Sequence, residues 1–220
     1  MKKLHIIYED KNIIVVDKPA KLLTIASAKE KYKTLYKEVS DYLKKKHASN
    51  KVYIVHRLDY ETSGVILFAK NHKYKTIIQN NWNNIVINRE YQAIVEGIVT
   101  NKEQTIKSYL KETKTHLSYS TTDKQNGKLA ITKYKVIKQN NKYSLLQINI
   151  LTGRKNQIRV HMQDINHPII GDKKYHSKEN PLNRLGLHAC LLEINIKGYK
   201  ETFVFKSNPP KAFLNLFKDN

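Results

Sequence analysis

The sequence predicts an α+β fold: a mixed, mainly antiparallel sheet with helices packed against it. Three observations carry that expectation. Beyond Glu90, five segments of β-type pattern follow one another, at 91–96, 105–110, 116–121, 129–138 and 143–151, with turn signals at Asn126-Gly127 and Asn140-Asn141. Apolar residues at helical spacing are confined to a few short stretches. The 220 residues show no composition break and no internal repeat. They read as a single domain over 1–220, with one buried core or two fused subdomains sharing a sheet, and no separate N-terminal module.

Taken in order, Ile6 to Val16 reads as a hairpin about the turn Glu9-Asp10-Lys11-Asn12. Asp17-Lys18-Pro19-Ala20 ends it, because proline cannot continue a ladder. Residues 26–33 form an exposed loop. Leu35, Val39, Tyr42 and Leu43 then recur at helical spacing, which predicts a helix over 34–47 with a lysine-rich outer face. A second helix is predicted over 71–82, carrying Tyr74, Ile77, Ile78 and Trp82. After the five strands, Thr152-Gly153 opens a third helix with Ile158, Met162 and Ile165 as its buried stripe, stopping before His167-Pro168. Two more strands within 187–205 and a short helix over 212–217 complete the chain.

Composition narrows the partner. Lys and Arg number 40 against 19 Asp and Glu, a formal net charge of +21. Such a field attracts polyanions, and the basic residues are spread along the chain rather than gathered on one amphipathic helix, which points to nucleic acid rather than a membrane surface. The lone cysteine, Cys190, lies in the apolar run 187–192 and is expected to be a small core residue. No intrachain disulfide is possible, no signal-type segment opens the chain and no stretch is long enough to span a bilayer, so a cytoplasmic location is expected.

The most informative run is Val55-His56-Arg57-Leu58-Asp59-Tyr60-Glu61-Thr62-Ser63-Gly64-Val65-Ile66. It sets one carboxylate, Asp59, in a tight polar turn between two apolar β-type segments. Thr62-Ser63-Gly64 supplies small hydroxyls and a glycine that lets the chain turn sharply and pass close to a ligand. Arg57, two residues away, favours the charged form of Asp59, which suits a nucleophile or a general base. Two further constellations stand out. Arg89-Glu90-Tyr91-Gln92-Ala93-Ile94-Val95-Glu96-Gly97 opens a strand in which Tyr91, taken alone, reads as half-buried sheet packing. Leu151-Thr152-Gly153-Arg154-Lys155-Asn156-Gln157-Ile158-Arg159-Val160-His161 turns from strand to helix and sets three cations in the first helical turns, where Arg154 and Lys155 by themselves could be a solvated face.

These three runs together resemble the RluA-type RNA pseudouridine synthases. The pattern His-Arg-Leu-Asp-x-x-Thr-Ser-Gly is similar to the catalytic signature of that family, with seven fixed positions in nine. The likeness extends from about residue 6 to 206, through Asp17-Lys18-Pro19-Ala20-Lys21-Leu22-Leu23, His167-Pro168-Ile169-Ile170-Gly171-Asp172 and Arg184-Leu185-Gly186-Leu187-His188-Ala189. Three departures are specific: Lys21 replaces the usual glycine, Gly186 stands where alanine is common, and Asn156 stands where the family usually has histidine. Asparagine can hydrogen-bond but cannot titrate near neutral pH, so no proton transfer is expected there.

The resemblance implies a pseudouridine synthase-like sheet with a central RNA-binding cleft, isomerisation of uridine in ribosomal or transfer RNA, and no cofactor. It assigns Asp59 as the essential carboxylate, Tyr91 as the ring that stacks on the flipped uracil, and Arg159 as the cation that pairs with Asp59. Arg57 fills the space that the base vacates, and Lys18, Arg154, Lys155 and Asn156 are expected at the RNA. The runner-up is a catalytically inactive RNA-binding or ribosome-assembly protein of the same fold; intact Asp59, Tyr91 and Arg159 argue against it, because pure binding needs neither Asp59 nor its partner. Hydrolase, nucleotide-binding and zinc readings fail for want of a Gly-x-Ser-x-Gly elbow, a phosphate-cradling glycine loop, partner cysteines or metal spacing among His161, His167 and His188. A monomer without metal or nucleotide cofactor is expected.

Overall fold

The computed structural model describes residues 4–28 and 30–218. They form two compact units, one comprising the chain up to Asn88 with Ala189–Asn208, the other Arg89–His188 with the segment from Pro209 onward. Lys29, inside the predicted 26–33 loop, lies outside the described residues.

The first unit runs β1 (His5–Glu9), β2 (Ile13–Lys18), α1 (Leu35–Lys46), β3 (Tyr53–Ile54), β4 (Ser63–Ala69), α2 (His72–Asn80) and α3 (Trp82–Ile85). The second contains β5 (Val86–Glu96), β6 (Glu103–Glu112), β7 (Ser118–Thr121), β8 (Lys128–Gln139), β9 (Tyr143–Ile150) and α4 (Gln157–Asp164), then a 3-10 turn at Lys173–Tyr175. The chain then gives the first unit β10 (Leu187–Ile194) and β11 (Phe203–Lys206), and α5 (Lys211–Asn215) closes the second. The α+β class is as predicted.

In the first unit β2 lies antiparallel between β1 and β4, from Ile13↔Ala69 to Lys18↔Gly64, and β11 is antiparallel to β10. Strands β2 and β4 are buried on both faces, so their sequences are continuous apolar runs rather than alternations. One face (Ile13, Val15, Val65, Leu67) packs with Tyr74 and Ile78 of α2 and with Leu192 and Ile194. Ile14, Val16, Ile66 and Phe68 point the other way and are as fully buried as Leu35, Val39 and Leu43 of α1. Helix α1 starts where Thr34 accepts a hydrogen bond from the Lys37 N–H and ends in Lys44, Lys45 and Lys46, charges that suit a helix C-terminus.

The second unit is an antiparallel five-stranded array in the order β5-β9-β8-β6-β7, with non-consecutive strands paired at β5/β9 and β8/β6. Ala93, Val95, Leu146 and Ile148 pack there against Ile158 and Met162 of α4. Phe213 of α5 joins Ile94 and Leu145, which lie on the opposite face by alternation.

Several boundaries differ from expectation, four of them near the candidate site. The predicted 71–82 helix stops at Asn80, because the Asn81 side chain donates to the Ile77 carbonyl at 2.8 Å and Trp82 begins a separate short turn. Strand β5 begins at Val86, ahead of the predicted 91. The lead-in to Asp59 is strand only at Tyr53–Ile54. The ladder would next use the Leu67 N–H, but His56 Nε2 accepts it at 2.9 Å, so 55–62 runs as an irregular segment. Finally, α4 starts at Gln157, leaving Arg154 and Lys155 exposed before it, because Asn156 has φ of 55°. Left-handed backbone favours asparagine among non-glycine residues.

Candidate active site

The Asp59 turn belongs to the first unit and is held from beneath by Lys18. That lysine is fully buried, and its ammonium donates to the carbonyls of Leu22 (2.7 Å), Pro19 (3.1 Å) and Tyr60 (3.1 Å). Lys18 carried the expectation of an RNA contact; its burial makes it instead a fastener of the turn. Thr24, also buried, donates through Oγ1 to the Leu58 carbonyl at 2.8 Å and accepts from the Leu58 N–H at 3.3 Å. The Thr62 N–H bonds the Asp59 carbonyl at 3.2 Å. Thr62 and Ser63 are buried, Asp59 is half-buried, and Arg57 and Tyr60 reach solvent. The turn is thus a rigid backbone loop presenting one carboxylate and one guanidinium.

Gly64, read from sequence as leaving room for a ligand, has φ of +116°, and a Cβ there would lie 2.1 Å from the Ala189 carbonyl oxygen. The near neighbour is main chain of β10, so the glycine is required by sheet packing. His56 places its ring 4.7 Å from that of Trp82. Because its Nε2 is an acceptor, the neutral ring carries its proton on Nδ1.

In the second unit Tyr91 is half-buried and packs against the core beside Ala93 and Val95. Burial lowers the pKa of Arg89 below the usual guanidinium value, Arg154 adds like-charge repulsion and Tyr91 opposes the shift. The Arg89 Nη1 lies only 2.8 Å from where a Gly153 side chain would begin. Gly153 therefore admits a guanidinium over the strand-to-helix turn.

Arg159, on α4, is 6% exposed and bound on both forks by the fully buried Asp172, Nε to Oδ2 and Nη2 to Oδ1 each at 2.7 Å. Its Nη1 donates to Asn156 Oδ1 at 3.1 Å, and the guanidinium lies 4.9 Å from the Tyr175 ring centre. Asn156 in turn donates to the Tyr175 hydroxyl at 3.1 Å, and that hydroxyl donates to the Ser118 carbonyl. Burial pushes the Tyr175 phenol up, which keeps it a neutral donor. Asn156, expected at the RNA, is 7% exposed and spends both ends of its amide on positioning Arg159 and Tyr175.

A second polar chain seats α4. The Asp164 carboxylate can only accept, so Ser120 donates to it at 2.5 Å. Ser120 must then accept from Ser108 at 3.0 Å, Ser108 from His161 Nε2 at 2.9 Å, and His161 Nδ1 accepts from Thr132 at 2.8 Å. Thr132 accepts from the Gln157 amide at 3.0 Å, and Gln157 Oε1 holds the Thr152 hydroxyl and the Arg154 N–H. The sense of each bond follows from the first, and it fixes the Nε2–H tautomer of His161. Desolvation lowers the pKa of this histidine from 6.5 to about 4.

The second unit therefore brings Arg159 and Asn156 into one cluster, with Asp172 and Tyr175 as members to which sequence reading gave no role. A signal existed: an arginine on a helix buried all round needs a carboxylate. Arg154 donates to the Leu129 carbonyl and Lys155 pairs with Glu112, both at the surface. Among the described residues no group of three or more His, Cys, Asp or Glu is placed to hold a metal ion, and no helix is long and apolar enough to cross a membrane.

A family described as RNA pseudouridylate synthase matches residues 12–164, and the chain belongs to it. That range includes Asp59, Tyr91 and Arg159 and ends short of Asp172. The chain is 34% identical over 189 residues to the uncharacterized RNA pseudouridine synthase YhcT of Bacillus subtilis, covering 85% of this chain and 62% of that protein. It is 38% identical over 177 residues to the ribosomal large subunit pseudouridine synthase C of Rickettsia prowazekii, covering 80% and 57%. The chain thus spans about 60% of the length of such relatives. In fold it is similar to the human RNA pseudouridylate synthase domain containing 1, with a TM-score of 0.79 at 23% identity, covering 96% of this chain and 86% of that one.

Proposed function

We propose that this chain isomerises uridine in RNA to pseudouridine, with Asp59 as the essential carboxylate. The observation that carries the reading is the Asp59 turn itself. A buried lysine and a buried threonine are spent on holding its backbone, an investment that a solvated surface turn does not require. Family membership and the Tyr91 and Arg159 segments support it.

In this reading the N-glycosidic bond of the target breaks, the uracil turns, and carbon 5 rejoins the ribose, with no net redox change. A stacked base cannot reach the carboxylate, so it is extruded at a cost of a few kcal/mol. Arg57, exposed on the turn, offers a planar guanidinium to fill the vacated stack. Tyr91 stacks on the flipped uracil, and Arg159 is the cation that the family resemblance assigns, its guanidinium held by Asp172 and Asn156. Arg154 and Lys155 face the phosphates. The substrate class is ribosomal or transfer RNA, the first favoured by the name of the Rickettsia relative. We further propose a cytoplasmic monomer acting without metal or nucleotide, as one catalytic domain.

The test is tritium release from carbon-5-labelled uridine in total RNA of a strain lacking this gene. Release by the native protein and at least a thousandfold less by Asp59→Asn, which keeps size and removes charge, is the expected outcome. Equal release by both would remove Asp59 from the chemistry. No release by either, with tight RNA binding retained, would make the chain an RNA-binding relative without activity.

A further inference from the structure

We propose that Tyr32, Tyr36 and Tyr60, on the first unit, form a stacking platform for unpaired RNA bases beside the Asp59 turn. The proposal rests on the isomerase reading above and specifies the form of RNA that the site takes: a loop or single strand rather than an unbroken duplex.

The three rings are 76%, 37% and 49% exposed, although the same unit buries or half-buries Tyr8, Tyr53, Tyr74, Phe203 and Phe205. An isolated exposed tyrosine needs no explanation. These three are different because their backbones are tied together. Leu22 N–H bonds the Tyr60 carbonyl at 3.2 Å, and the Lys18 ammonium bonds the carbonyls of both residues. Thr24 is bonded through its side chain to Leu58 and through its carbonyl to the Tyr36 N–H at 3.1 Å. Tyr36 and the Asp59 turn therefore hang on one buried threonine. Tyr32 joins through its carbonyl, which accepts from the N–H of Thr34, the cap of α1.

Charge selects the occupant. Lys21, Lys31, Lys33 and Arg57 are exposed on the same two segments. The nearby Glu30 carboxylate is occupied, accepting from the N–H groups of Tyr32 and Lys33 at 2.9 Å each. Rings interleaved with cations suit a polyanion whose flat groups are free to stack. Every base has a π-face, so such stacking tolerates sequence, but a base inside a duplex has that face covered. The platform therefore selects unpaired nucleotides flanking the target and leaves the choice of the target itself to the Asp59 site.

The experiment compares the full chain with Tyr36→Ala/Tyr60→Ala, Tyr36→Phe/Tyr60→Phe and Tyr32→Ala. Two probes are used: a hairpin RNA with an unpaired uridine-containing loop, and a blunt duplex of the same composition. Expected is a loss of about tenfold in hairpin affinity per ring removed, unchanged duplex affinity, and recovery in the phenylalanine pair, because stacking needs the ring and not the hydroxyl. The slope of log affinity against log salt stays native, since no charge is removed. Native hairpin affinity in the alanine variants, equal loss on both probes, or no recovery with phenylalanine would overturn the platform; melting curves confirm that each variant is folded. Native tritium release together with any of those results removes the platform alone. Absent tritium release with tyrosine-dependent hairpin binding removes the isomerase reading and leaves the platform standing.

Discussion

At the scale of single residues, the positions that matter most are polar groups taken out of water and bound on every side. Arg159 is one, bound on both forks by the fully buried Asp172. Replacing Asp172 by asparagine keeps the shape and removes the buried charge that binds both forks of a guanidinium only 6% exposed. Breaking a buried pair from one side costs about 3–5 kcal/mol. Urea denaturation should therefore show the Asp172→Asn midpoint falling with an unchanged slope, and a loss below about 1 kcal/mol would contradict the bidentate geometry. The carboxylate Asp59 was legible because it lies in a dense local motif. Asp172 was quoted within a motif but had no role, because its partner is brought to it by the fold. Lys18 and Asn156 were read as RNA contacts for the same reason: nothing local shows that three carbonyls enclose Lys18, or that φ of 55° turns Asn156 inward.

Among the elements, α4 carries a pH signature of its own. His161 is fully buried between Thr132 and Ser108, and its pKa is depressed from 6.5 to about 4 by desolvation. The unfolded chain binds a proton below pH 6.5 that the folded chain refuses until about pH 4. Stability from this residue is thus whole above pH 6.5 and declines between 6.5 and 4, by up to about 3 kcal/mol. Glu9, held down to about 2 against the effect of its burial by hydrogen bonds from Lys46, Lys70 and Tyr42, adds its own loss only below 4.5. Urea midpoints at about pH 7.5, 5.5 and 4.5 for the native chain and for His161→Gln separate the two. The difference between the proteins should shrink as pH falls, and a constant difference would mean that His161 does not resist protonation. Strand pattern foretold β2, β4 and the five strands β5 to β9, though not their order, because alternation and apolar runs are local whereas pairing is not. Where side chains capture backbone groups, as His56 does with Leu67 and Asn81 with Ile77, the element ended earlier than its pattern. Those bonds join residues whose proximity no periodicity encodes.

For the molecule as a whole, the excess of 21 positive charges was plain from composition, but its use depends on where the cations are placed rather than how many there are. Lys44 and Lys45 at the end of α1, and Lys173 and Lys174 on the 3-10 turn, are exposed, whereas Lys18 is fully enclosed and Lys46 is paired with Glu9. Deleting one cation that neutralises a phosphate lowers the slope of log affinity against log salt by about 0.7 for a single strand and about 0.9 for a duplex. If the exposed four meet phosphates, their joint replacement by glutamine should flatten the slope by about 3. Lys18→Met should leave the slope native while lowering the melting temperature, because it removes a fastener of the turn and no group that faces a phosphate. The two variants differ in opposite senses: one loses salt dependence with stability kept, the other loses stability with salt dependence kept. A flattened slope in Lys18→Met would return that lysine to the RNA. A native slope in the fourfold variant would mean that these lysines only steer the polyanion toward the protein, since a field that attracts from a distance accelerates encounter without releasing counterions in the bound state.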